Sequence, residues 1–147
     1  MPATPELPSP QTILAFDFGL RRIGVAVGQD ITGSASPLGV VHNRDDGVDH
    51  AAISALVKKW RPTGIVVGMP SHADGSPSAM QEHVEAFIAE LQRYGLNIDT
   101  VDERYTSLEA EHVLKDARAA GSRGRISKEM IDSAAAVIIA ERYLSTG

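Results

Sequence analysis

Three acidic residues stand where a folded chain has little use for charge. Asp17 ends the apolar run that starts at Thr12, Glu103 closes a second strand-like run, and Asp132 lies beside the apolar face of the last helical segment. In an open sheet the carboxyl ends of parallel strands share one edge, so two such strands present their acids to one crevice. The last helix brings the third. Carboxylates gathered in this way repel one another, and their burial costs stability unless cations neutralise them. Hard divalent ions, Mg2+ or Mn2+, meet that need. A pair of them about 4 Å apart activates water, stabilises a leaving oxyanion and holds a phosphodiester. Each acid also has an ordinary role: Asp17 can open a turn before Gly19 and pair with Arg21 or Arg22, Glu103 can pair on the surface, and Asp132 suits an early helical turn.

The elements that must position these acids are legible from periodicity. Residues 12–17 read as a buried strand, followed by a turn at Gly19. From Arg22 to Gln29, Ile23, Val25 and Val27 alternate with Gly24, Ala26 and Gly28, so one face is large and the other small. Something must sit close over the small face. Ser34 to His42 is a third strand, and Pro37 suits an edge. A helix from about Asp49 carries Ile53, Leu56, Val57 and Trp60 and stops before Pro62. A fourth strand covers Gly64 to Gly68, and Met69 to Gly75 form a loop. Ser76 and Pro77 read as the start of a helix with Met80, Val84, Phe87, Ile88 and Leu91 on its buried stripe, closed by Gly95. A fifth strand runs from Asn97 to Glu103. Thr106 and Glu109 read as a capping box for a helix ending at Gly121. The final helix begins after Ser127, with Ile131, Ala134, Ala135 and Ile138 on one side and three consecutive alanines that permit close approach to a sheet. Two hairpin connections followed by crossover units predict an α/β domain with a mixed five-stranded sheet.

Composition narrows the class. The 147 residues suffice for one core, and the first eleven, rich in proline, read as a disordered arm before a single domain over 12–147. Nineteen acids against fourteen basic residues give a net charge of -5, which disfavours coating nucleic acid through bulk positive charge. A local grip remains: Lys115, Arg118, Arg123, Arg125 and Lys128 lie on a glycine-containing segment suited either to a phosphate backbone or to solvent. The absence of cysteine removes disulfides and thiolate chemistry, and fits the cytoplasm. The five histidines lack zinc-helix spacing, and no segment reads as a membrane span.

Four segments, FDFGLRRIGVAVGQD, VVGMPSHADGS, VDERYTSLEAE and IDSAAAVIIAERYL, resemble in order the signatures of the YqgF family, also called RuvX. The resemblance implies an RNase H-like fold, with strand order 3-2-1-4-5 and helices flanking the sheet, related to the Holliday-junction resolvase RuvC. It implies a Mg2+- or Mn2+-dependent nuclease that processes the 5′ end of pre-16S rRNA during ribosome biogenesis, as a monomer or homodimer acting on a ribosome precursor. By motif position, Asp17, Glu103 and Asp132 are the catalytic, metal-binding acids, and Arg22 and Arg104 face the substrate. Arg123, Arg125 and Lys128 of the basic segment join them as nucleic-acid contacts. Leu20 departs from the threonine usual in the first motif, and Ala135 stands where RuvC-like enzymes carry a further aspartate. A junction-resolving DNA nuclease and a non-catalytic RNA-binding assembly factor are the alternatives. The chain is too short for the paired domains of an actin-like ATPase.

Overall fold

A computed structural model of the chain describes residues 11–44, 47–70, 79–102 and 128–146, with side chains described over 131–145 in the last stretch. Its elements follow in the order β1 (Thr12–Asp17), β2 (Arg22–Gln29), β3 (Ser34–His42), α1 (His50–Trp60), β4 (Gly64–Met69), α2 (Gln81–Leu91), β5 (Asn97–Asp102) and α3 (Lys128–Thr146). The five strands form one sheet in the order β3-β2-β1-β4-β5, as expected. The two hairpins pair antiparallel, while β1 with β4 and β4 with β5 pair parallel.

Strand alternation sorts the side chains into two cores. Leu14, Phe16, Ile23, Val25, Val27, Ile65 and Val67 meet Ile53 of α1 and Val84, Phe87 and Leu91 of α2 on one face. On the other face Ile13, Ala15, Ala26 and Val66 meet Ala136, Ile139 and Ala140 of α3. Asp17 falls in the Ile13, Ala15 series and so belongs to the α3 side of the sheet. Phe18 belongs to the opposite side, where its ring lies 4.9 Å from that of Phe87.

The helix ends have local causes. The Asp49 side chain accepts from the Ala52 N–H, capping α1, and Lys58 and Lys59 complement its last turn. Arg61 ends α1 with φ 46°, a left-handed conformation, ahead of Pro62. Helix α2 begins at Gln81 with Ala79 and Met80 in a turn, later than the Ser76–Pro77 start suggested by sequence; those two residues lie outside the described ones. Helix α2 passes into a short 3-10 turn, Gln92–Tyr94, closed by Gly95 at φ 67°.

Helix α3 differs from expectation in the face it buries. Ser133, Ala135, Ala136, Ile138, Ile139 and Ala140 are buried, so the predicted stripe of Ile131, Ala134, Ala135 and Ile138 holds at Ala135 and Ile138 and is widened toward Ser133, Ala136 and Ala140. Ile131 and Ala134 are only partly buried, and Ala135 and Ile138 form a small separate cluster. The sheet decides the widening. Over Gly24 the helix backbone at Asp132 and Ser133 settles directly on the strand, and Ala140 packs at Gly28, so the small residues of α3 turn toward β2.

Candidate active site

Asp17 and Asp132 come from opposite ends of the sequence and line one cleft, shared with Phe18, Gly19, Leu20, Arg21 and Arg22, of about 170 Å³. Asp17 reaches it because β1 ends there on the α3 side, with Phe18 anchored on Phe87 across the sheet. Asp132 reaches it because α3 descends onto β2 at Gly24. That glycine is the register partner of Asp17. A Cβ built on Gly24 would overlap the Asp132 carbonyl group and stand 3.1 Å from the Ser133 nitrogen. Thus one missing methyl group lets the backbone of the second acid settle against the strand that pairs with the first.

Two residues that sequence reasoning passed over hold this arrangement. Ser133 is buried, and its hydroxyl accepts from the Gly39 N–H at 3.1 Å and donates to the Val25 carbonyl at 3.2 Å. Those two groups flank the irregularity where β2 and β3 shift register: Val25 faces Gly39, and Ala26 faces Pro37. The serine hydroxyl therefore replaces a ladder bond that the bulge removes, and ties α3 to both strands one residue after Asp132. Its presence in the IDSAAAV segment was the only available signal. Asn43 donates through Nδ2 to the carbonyls of Gly19 and Leu20, each at 2.9 Å, while its N–H donates to Arg21 O. It fixes the β1–β2 turn that forms the cleft rim. Nothing in the sequence marks an asparagine after a strand as more than a turn residue.

Arg22, the first residue of β2, donates through Nε to Asp132 Oδ2 at 3.1 Å. Both side chains keep 28% of their surface exposed, so the pair is sheltered without being sealed. At the rim Leu20 is 58% exposed. Farther along α3, Arg142 donates to the Asp102 carbonyl at the end of β5, and Tyr143 donates to Asp99 Oδ2 at 2.7 Å. The hydrogen bond to Asp99, aided by partial burial, raises the Tyr143 phenol above its ordinary pKa. These contacts fix α3 to the strand after which Glu103 follows.

Glu103, Arg104, Arg123 and Arg125 lie outside the described residues, as do Tyr105, the Thr106–Glu109 capping pair and most of the basic segment; Lys128 opens α3, with its side chain outside them. Among the described residues no cluster of three or more potential metal ligands occurs. Two carboxylates in one open cleft nevertheless suit a hard divalent cation, since Mg2+ usually keeps several waters and takes one or two protein carboxylates.

Comparison with known proteins follows the same lines. The model of a family described as RuvX, Holliday junction resolvase, matches residues 11–146. A protein of Burkholderia lata named "Putative pre-16S rRNA nuclease" is 44% identical over 134 residues, covering 90% of this chain and 88% of its own. A protein of the same name from Burkholderia cenocepacia is 42% identical with the same coverage. Among solved structures, Thermus thermophilus RuvC in complex with a Holliday junction substrate superposes with TM-score 0.58 at 14% identity, over 92% of this chain and 94% of that one. This last likeness concerns the fold, the RNase H-like arrangement of sheet and helices.

Proposed function

Because the chain belongs to the RuvX family, we propose that it is the nuclease that trims the 5′ region of pre-16S rRNA, with Asp17, Asp132 and Glu103 as metal-binding catalytic acids. The observation that carries this reading is the meeting of Asp17 and Asp132 in one cleft although 115 positions separate them. Bound Mg2+ or Mn2+ would supply Lewis acidity to the phosphodiester and lower the pKa of the attacking water. The protein's own residues do the rest. Asp17 and Asp132 hold the charge that draws the cation, and Arg21 and Arg22 supply positive charge at the rim for phosphate. Gly24, Ser133 and Asn43 keep the acids and the rim in register. Arg104, Arg123, Arg125 and Lys128 extend the backbone grip in this reading, which places the enzyme on ribosome precursors in the cytoplasm. The chain 12–147 acts as one nuclease domain, following an N-terminal arm of which Gln11 already pairs with Asp30.

The family description and the RuvC-like fold favour a second reading, resolution of four-way DNA junctions by a homodimer. One experiment separates them. Purified protein is incubated with precursor rRNA, a four-way DNA junction and single-stranded controls, in Mg2+ or Mn2+, beside Asp17→Asn. Cleavage of the precursor that falls by at least about 10²-fold in the variant, with an unchanged circular dichroism spectrum, is the expected result. Cleavage of junctions alone selects the second reading; binding without cleavage by the wild type points to an assembly factor. Cleavage undiminished in Asp17→Asn removes Asp17 from the chemistry.

A further inference from the structure

The described charges of the cleft cancel: Asp17 and Asp132 against Arg21 and Arg22. A divalent cation entering the cleft therefore meets an acid already engaged. The Arg22–Asp132 bond joins residues 110 positions apart whose backbones are fixed, one by the β2 ladder and the other by Gly24 and Ser133. Its geometry is built into the fold, unlike that of a chance pair of long surface side chains. Only Nε of the guanidinium meets Asp132 within bonding distance. Its two terminal nitrogens form no hydrogen bond with other described residues, and they have the spacing that suits two phosphate oxygens.

We propose that Arg22 is an internal counter-ion, which holds the Asp132 carboxylate until a divalent cation takes it and then pairs with the phosphate of a bound RNA strand. The proposal rests on the assignment of Asp17 and Asp132 as cation ligands. It deepens that assignment by making cation and RNA bind cooperatively. Without RNA, the cation must displace an arginine side chain that has no other partner among the described residues. With RNA present, the phosphate receives the guanidinium and the carboxylate is released. By linkage, each ligand then raises the affinity for the other by the same factor. The arrangement keeps the acids neutralised in the resting protein and reserves full cation binding for the complex with RNA.

The test measures Mn2+ binding by titration calorimetry and electron paramagnetic resonance, with and without a cleavage-resistant 2′-O-methyl RNA strand of the precursor's 5′ region. The proteins are the wild type, Arg22→Gln, Arg21→Gln and Asp132→Asn, each checked for fold by circular dichroism. The expectation is that the RNA tightens Mn2+ binding to the wild type by about fivefold or more. Arg22→Gln should bind Mn2+ without RNA about three- to tenfold more tightly than the wild type, and should lose most of the enhancement by RNA. Arg21→Gln removes an equal charge from the same cleft without touching Asp132, and should tighten binding less. Three results would overturn the proposal: Mn2+ affinity unchanged or weakened in Arg22→Gln, equal tightening in Arg21→Gln, or an RNA enhancement that survives in Arg22→Gln. Asp132→Asn reports separately on the underlying assignment. If it binds Mn2+ as the wild type does, Asp132 is no ligand, and the counter-ion role falls with it.

Discussion

Replacing Gly24 with alanine should displace the acidic site while leaving the chain folded. The new Cβ would overlap the Asp132 carbonyl, and the neighbouring atoms are all backbone atoms of α3, which cannot rotate aside. Restoring ordinary contact requires α3 to retreat from β2 by on the order of 1 Å at Asp132. Overpacking of this kind costs about 1–3 kcal/mol of stability. For catalysis, a displacement of about 1 Å of a positioned group costs about 10²-fold, or roughly 2.7 kcal/mol of transition-state stabilisation. Gly28→Ala is the matched control. It lies on the same small face under the same helix, but its Cβ would meet the side chains of Ile13 and Leu144 at 3.2 Å and Ala140 at 3.3 Å. Four residues farther along β2, roughly 13 Å from Gly24, it should cost some stability and leave the acids in place. Urea denaturation gives the stability of both variants, and Mn2+ titration together with precursor cleavage reports the site. The reasoning fails if Gly24→Ala retains wild-type Mn2+ affinity and cleavage, or if Gly28→Ala at similar stability loses as much of either.

Other substitutions probe separate parts of the fold. Ser133→Ala leaves the Gly39 N–H and the Val25 carbonyl without their buried partner, and should lower unfolding free energy by about 1–3 kcal/mol in urea titration. Ser133→Thr, which restores the hydroxyl, should recover part of that loss if its added methyl is accommodated, whereas equal stability of Ser133→Ala and wild type would dismiss the clamp. Because the folded-state pKa of Tyr143 is raised by its hydrogen bond to Asp99, its contribution is complete below pH 10 and fades as the pH climbs through the raised value. Wild-type stability should therefore fall more steeply than that of Tyr143→Phe as the pH rises above 10; parallel curves would contradict this. Arg61→Gly relieves a left-handed conformation at the end of α1, and should raise thermal stability by about 0.5–1 kcal/mol. A lower melting temperature would show that the Arg61 side chain matters more than its backbone.

The legible parts of this protein were those that repeat. Apolar runs located β1 and β4 and alternation located β2, where the contrast of Ile23, Val25 and Val27 with Gly24, Ala26 and Gly28 announced a close helix before that helix could be identified. Asp17 and Asp132 were singled out as charges at the ends or edges of apolar runs, and their shared cleft follows from the topology. What escaped was local and irregular. The packed face of α3 is set by where glycines rise from β2, a property of the partner strand that the helix's own periodicity does not contain. Ser133 and Asn43 act through single hydroxyl and amide groups on backbone atoms distant in sequence, and such bonds leave no period. The Arg22–Asp132 pair was equally hidden, since Arg21 and Arg22 were both plausible partners for Asp17.

The irregular β3 strand also bears on assembly. An edge strand is the natural place for a second chain to extend a sheet, yet Pro37 withholds a donor there, and the bulge beside it breaks the spacing that a straight partner strand would need. Gly39, at φ 97°, turns its N–H inward to Ser133. The outer rim of the hairpin is thereby closed to β-augmentation. A symmetric pair of these molecules would then meet by a contact other than continuation of the sheet at β3, and that contact would set the spacing of its two acidic clefts, hence of any paired cuts.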